Sequence, residues 1–288
     1  MDSSVNPLGS PNKARRSQLY VPANNERMLV KASQLDTDSV VFDLEDSVPT
    51  ELKEGARSVL LKVMGTLDWG AKEVCVRINP LTNLESYRDI LLVSNLDRVD
   101  AIVVPKAEPG LGFIHRASGK WLIPIIETAR GLLRVEDVVC EEGVVAVTWG
   151  AADMAFSFGG SVEAFSNNAY VRTKVAAAAA AHGVEAVDKV YFNVEDVEGF
   201  IADCREAKKY GFSGKQVIHP SQIAPANTIF SPTKEEVEWA QKILEAYEEG
   251  RKSGRGAIRL DNELVDEVHV RIAKKILQRL GHASQKSS

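Results

Sequence analysis

Short apolar runs alternate with longer amphipathic stretches along most of the chain. Many of the short runs are apolar at consecutive positions, which is how a strand buried on both faces reads. They predict strands at Gln18–Val21, Ser39–Asp43, Glu73–Ile78, Ala101–Pro105, Trp121–Ile126, Val144–Trp149, Val184–Val187 and Gln216–Ile218. Helical periodicity occupies most of the gaps, at Glu26–Gln34, Thr50–Met64, Asn83–Ser94, Ala129–Cys140, Tyr170–His182 and Val197–Tyr210. The last two are the plainest. One contains AAAAAA, a strong helix former, and Gly183 and Gly211 stand where C-terminal caps belong.

Strands separated by helices argue for a parallel sheet covered on its outer face, and eight is the number that closes a (β/α)8 TIM barrel. A doubly wound open sheet is the competing α/β arrangement. It normally carries a Gly-rich phosphate turn after its first strand, where this chain reads VPANNER. The expected organisation is a disordered leader over 1–14, the barrel over 15–230, a C-terminal helical extension over 231–281 and a disordered tail over 282–288. The extension comprises a helix at Ser231–Gly250, the link GRKSGRGAIRL and a last helix from Asp266 to Leu280. It exceeds what a barrel needs and is expected to reach a neighbouring subunit.

Composition narrows the classes. The 288 residues are 44% hydrophobic and 26% charged, with a net charge of −5. Lys and Arg are scattered, so no nucleic-acid-binding face is expected. No apolar run approaches the roughly 20 residues of a membrane span. Cys75, Cys140 and Cys204 lack CxxC spacing, which implies a reduced, cytoplasmic protein with core cysteines.

Catalytic groups of such a barrel stand at the C-terminal ends of its strands. Strand two ends in Asp43, Glu45 and Asp46, strand three in Arg77 and Asn79, and strand four in Lys106 and Glu108. Strand five ends in Glu127, strand six leads to Asp153, and strand eight ends in His219, read as structural. Singly, each residue reads equally well as a cap or a salt-bridge partner. Their recurrence at one rim suggests a site for a hard divalent cation, which takes one or two carboxylates plus water and substrate oxygens.

Seven segments carry a resemblance: RRSQLYVPANNERMLVKA, VVFDLEDSVPTELKEGAR, VRINP, VVPKAE, PIIETARG, WGAADM and GFSGKQVIHPSQI. In this order and spacing the chain resembles the citrate lyase β-subunit-like (CitE-like) family, within the HpcH/HpaI group of metal-dependent aldolases and lyases. The resemblance covers roughly Arg15 to Leu280. It implies a barrel with an added C-terminal segment, homotrimers or hexamers, and Mg²⁺-dependent carbon–carbon chemistry on acyl thioesters, with Mn²⁺ an acceptable substitute. Glu127 and Asp153 match the family's metal carboxylates, and Arg77 its substrate-binding arginine. Asp266, in LDNELVDEVHV, matches an acid/base aspartate often lent by the adjacent subunit. Asn262 and Glu263-Leu264 depart from the usual Gly and Lys-Met there.

The implied reaction is cleavage, or formation, of a 3-hydroxyacyl-CoA of the citramalyl, malyl or citryl type into acetyl-CoA and a 2-oxo acid. Arg77 would support developing negative oxygen, and Asp266 would move the hydroxyl proton. Gly150, Ala151 and Ala152 have little bulk and would offer backbone N–H groups to a substrate carboxylate. Arg16 and Lys31 are candidate contacts for the CoA phosphates. Asp43, Glu45, Asp46 and Lys106 would orient the inner groups. The alternatives are a β subunit acting on a carrier-bound acyl group in a citrate lyase complex, an aldolase that needs no CoA, or a thioesterase or synthase.

Overall fold

The computed structural model describes residues 13–252, 258–260 and 263–284. Most of the expected leader, residues 253–257 of the link, Asn262, and 285–288 of the tail lie outside the described residues.

Eight strands, β1 (Ser17–Pro22), β2 (Ser39–Asp43), β3 (Glu73–Arg77), β4 (Ala101–Val104), β5 (Trp121–Ile126), β6 (Ala146–Trp149), β7 (Glu185–Asp188) and β8 (Gly214–Val217), close in chain order. Every pair is parallel, and β8 returns to β1 with Gln216 beside Gln18. That closure settles the choice between barrel and open sheet. On the outside lie α1 (Glu26–Gln34), α2 (Lys53–Thr66), α3 (Leu84–Ser94), α4 (Gly112–Ser118), α5 (Ala129–Leu133), α6 (Val135–Val139), α7 (Ala151–Phe158), α8 (Val162–Ser166), α9 (Ala169–Ala181), α10 (Val197–Lys209) and α11 (Ile223–Phe230).

The pleat sorts side chains by alternation. Val41, Cys75, Ala101, Val103, Ile123 and Ile125 fill the barrel interior, with Tyr20 packed on them. The opposite faces join the helices in a larger core that includes Phe42, Val74, Val76, Ile102 and Trp149. The N-terminal end of the barrel carries a buried ion group, in which Arg15 donates to Glu73 Oε2 at 2.9 Å and to Glu185 Oε2 at 2.8 Å.

The helix expected at Ala129–Cys140 is divided at Arg134, whose φ of −110° and ψ of 17° leave the helical region. The helix expected from Thr50 opens with a 3₁₀ turn, Thr50–Leu52, before α2. The short α4, α7, α8 and α11 were not anticipated. Each is shorter than the stretch of roughly 11 residues over which helical periodicity becomes readable. Cys75 and Cys204 are buried as expected, but Cys140 is exposed.

The described residues divide into two compact units after Phe230. The second contains α12 (Lys234–Lys252), an antiparallel pair β9 (Ile258–Leu260) and β10 (Glu263–Val265), and α13 (Glu267–Ser284). Its own apolar cluster includes Ala240, Ile243, Val265, Val270 and Ala273. α13 runs past the expected end of the last helix, into the segment read as a disordered tail. Among the described residues no helix is long and apolar enough to cross a membrane.

Candidate active site

A cavity of about 510 Å³ opens at the C-terminal rim of the barrel. Its walls combine the polar residues Tyr20, Asp43, Asp46, Arg77 and Glu127 and the run Gly150–Asp153 with the apolar Pro22, Met28, Val190, Phe192 and Ile218.

Asp43 and Arg77 are register partners on β2 and β3. Arg77 Nε donates to Asp43 Oδ1 at 2.7 Å and Nη2 to Oδ2 at 2.6 Å. Arg77 Nη1 also lies 3.0 Å from Glu45 Oε2, an ion contact without hydrogen-bond alignment. Asp43 further accepts the N–H groups of Glu45 and Ser47. Burial opposes the Asp43 charge, but Arg77 and these donors outweigh it and hold the carboxyl below the usual range. For Arg77 the same balance raises the pKa: burial works against the cation and Asp43 restores it.

Lys106 follows β4 with a φ of 49°, a left-handed conformation that costs a residue with a Cβ about 1–2 kcal/mol. The turn aims both ends of the residue inward. Its N–H donates to Glu127 Oε1 at 2.7 Å. Its ammonium donates to Glu45 Oε1 at 2.6 Å and stands 3.6 Å from Asp153 Oδ1 and 4.0 Å from Glu127 Oε1. One lysine thus faces three carboxylates. Burial disfavours its charge, but Glu45, Glu127 and Asp153 raise its pKa.

Glu127 is 3% exposed. Its carboxyl is pushed up to about 8, first by burial and then by the charges of Glu45 and Asp153. Gly150 makes room for it: a Cβ there would stand 2.6 Å from Glu127 Oε2. Gly150 is the N-cap of α7. The first amide N–H groups of a helix have no acceptor within it, and Ala151, Ala152 and Asp153, the first residues of α7, line the cavity.

These carboxylates fit a divalent cation. Glu127 and Asp153 approach the same point, with too little positive charge nearby to keep Glu127 ionised at neutral pH. Among the described residues no group of three His, Cys, Asp or Glu side chains forms a closed metal cage. Two carboxylates with open positions are the donor set Mg²⁺ uses, and the set lacks the soft ligands that zinc prefers.

Other expected residues stand elsewhere. Arg16 precedes β1 at the opposite end of the barrel, where it donates through Nε to Asp38 Oδ2 at 2.8 Å and through Nη2 to Oδ1 at 2.9 Å. Arg16, a candidate phosphate contact, therefore stands apart from the rim cavity. Lys31 is exposed in the last turn of α1, one residue triplet beyond the cavity-lining Met28. Asp46 lines the cavity, and among the described residues the ion pairs of Arg77 and Lys106 run to Asp43, Glu45, Glu127 and Asp153. Asp266 caps α13: its Oδ1 accepts the Val268 N–H at 2.9 Å and lies 2.8 Å from His269 Nδ1. That contact with His269, with the helix N–H groups, lowers the Asp266 pKa. His219 caps the 3₁₀ turn Pro220–Gln222, the structural role read for it.

Reading strand ends alone missed Tyr20 and Gln216, which reach the cavity from inward positions of β1 and β8. The available signal was a polar side chain inside an apolar strand.

The sequence model of the HpcH/HpaI aldolase/citrate lyase family matches residues 16–110 and 116–220. The mitochondrial citramalyl-CoA lyase of Mus musculus is 33% identical over 294 residues, covering 91% of this chain and 85% of the relative. A (3S)-malyl-CoA thioesterase of Cereibacter sphaeroides is 32% identical over 270 residues, covering 91% and 93%. The crystal structure of CitE from Mycobacterium tuberculosis with magnesium, acetoacetate and coenzyme A superposes with a TM-score of 0.78 at 29% identity, covering 94% of this chain and 100% of that one.

Proposed function

The chain belongs to the HpcH/HpaI aldolase/citrate lyase family and is a carbon–carbon lyase, and on that premise we propose that it cleaves a 3-hydroxyacyl-CoA into acetyl-CoA and a 2-oxo acid. The observation that carries this reading is the convergence of Glu127, Asp153, Arg77 and the α7 N-terminus on one cavity. The cofactor is Mg²⁺, and Glu127 and Asp153 would hold it. When bound, the ion supplies Lewis acidity and orients the hydroxy-acid end of the substrate.

The remaining work falls to the chain's own groups. The N–H groups of Ala151 and Ala152 bind the substrate carboxylate, favoured by the helix dipole. Arg77, held rigid by Asp43, presents a fixed positive charge to oxygen that becomes negative as the carbon–carbon bond breaks. Asp43 and Glu45 orient Arg77, and Glu45 orients Lys106. Apolar walls at Met28, Val190 and Phe192 limit water around the reacting bond. Lys31 is a phosphate contact for the CoA tail. Asp266, lent by a neighbouring copy in a trimer or hexamer, takes the hydroxyl proton in cleavage and returns it in synthesis. The motif LDNELVD and the capping geometry, which leaves Asp266 ionised, support that role. The enzyme works in the cytoplasm as a barrel over 15–230 with a subunit-contacting extension over 231–281.

Incubation with Mg²⁺ and citramalyl-, malyl- or citryl-CoA should release acetyl-CoA with pyruvate, glyoxylate or oxaloacetate. No cleavage of any of them by protein that binds Mg²⁺ overturns the reading. Free CoA with an intact hydroxy acid would instead indicate a thioesterase, and activity only on carrier-bound acyl groups a citrate lyase β subunit. Recovery of activity on mixing Asp266→Asn with Arg77→Ala chains would establish the shared site; no recovery removes it.

A further inference from the structure

Tyr20 enters the cavity from the inner face of β1, beside Gln216 of β8. Gln216 is 3% exposed, and its Nε2 donates to Tyr20 Oη at 2.7 Å. A phenol oxygen that accepts a hydrogen bond still carries its own proton. Among the described residues no acceptor takes that proton. The Arg77 guanidinium carbon lies 5.3 Å from the centre of the Tyr20 ring, over its face, and both side chains line the same cavity. Ile125 packs nearby and also lines the cavity. Tyr20 is half-buried and lines the cavity, so its free O–H faces the space a ligand fills, and a ligand oxygen there would supply the acceptor it lacks.

We propose that Tyr20 is a catalytic residue that donates its O–H to the thioester carbonyl oxygen of the substrate, with Gln216 as the positioning residue that directs the proton into the cavity. The proposal rests on the lyase reading above. When the carbon–carbon bond breaks, its electron pair becomes the C=C bond of the acetyl thioester enolate, and the former carbonyl oxygen takes the negative charge. Tyr20 keeps its proton and shares it more strongly with that oxygen. Arg77 contributes the adjacent charge, so the two form a paired oxyanion site. Burial raises the phenol's pKa, and Arg77 only partly offsets this, so the group remains a donor rather than a phenolate at neutral pH. The Gln216 amide occupies the wall side of the phenol oxygen as a donor, which leaves the O–H to point toward the cavity.

The test is steady-state kinetics of the full chain with Mg²⁺ and whichever thioester the wild type cleaves. Tyr20→Phe should lower kcat roughly tenfold or more, with KM changed less than about threefold, the signature of a donor that acts mainly in the transition state. Gln216→Leu should lower kcat less. The double variant should be no slower than Tyr20→Phe alone, because Gln216 acts through that hydroxyl. A kcat for Tyr20→Phe within about twofold of wild type, or strictly additive effects, overturns the proposal. If the wild type cleaves no thioester, the lyase reading fails by itself. Tyr20 is then judged by calorimetric affinity for acetyl-CoA, which Tyr20→Phe should weaken several-fold. Equal affinity in the two proteins overturns the contact.

Discussion

Arg77 holds Asp43 at two points across the paired ends of β2 and β3, at 2.7 and 2.6 Å. The pair is the rigid part of the rim: one guanidinium is committed to a buried carboxylate and still borders the cavity. Arg77→Lys keeps the charge but loses the planar fork. Turnover should fall roughly a hundredfold, with Mg²⁺ affinity nearly unchanged, as measured by kinetics and metal titration.

Removing the acidic half costs stability. Asp43→Ala leaves the half-buried Arg77 guanidinium with only Glu45 as a partner, and unfolding should be easier by about 1–3 kcal/mol. Urea denaturation monitored by circular dichroism checks this.

Glu127 sets a pH dependence. Its folded pKa, about 8, lies above the carboxyl value of the unfolded chain, so the folded state binds more protons between the two. Metal-free stability from this group is therefore greatest below about 4.5 and declines as pH rises through 8. A Mg²⁺ ion held by Glu127, as proposed, would displace the proton, so its affinity should rise up to about tenfold per pH unit until pH 8. Calorimetric titration across pH 6–9 reads this slope, and Glu127→Gln should flatten it and weaken binding.

On the proposed metal site, Lys106 and the ion would compete for the same carboxylates. Without the ammonium, Glu45, Glu127 and Asp153 repel one another. Lys106→Met should lower the metal-free melting temperature at pH 8 and enlarge the stabilisation that Mg²⁺ provides, by mass action. Thermal melts with and without Mg²⁺ give both values.

Gly150 is a spacing requirement rather than a conformational one, since its φ of −122° suits any residue. Gly150→Ala should leave the melting temperature within a few degrees while weakening Mg²⁺ binding about tenfold, because the new methyl displaces Glu127. Metal titration alongside a thermal melt separates the two effects.

The barrel was legible because strands buried on both faces write their burial as unbroken apolar runs. The boundaries of β2 and β5 and of α1 follow from that pattern to the residue. The split at Arg134 and the short α7 were not legible, since each depends on where a neighbouring element stops the chain. Strand-end position marked Asp43, Glu45, Arg77, Lys106, Glu127 and Asp153 as residues of one rim.

The sequence by itself determined the alternation of strands and helices, and with it which end of each strand carries the polar groups. Only the tertiary structure decided which of those groups meet. Lys106 faces Glu45, Glu127 and Asp153 because a left-handed turn aims it there. Glu127 approaches the α7 N-terminus because Gly150 has no side chain. Contacts between residues far apart in the chain depend on the pitch and closure of the barrel, which no local pattern records.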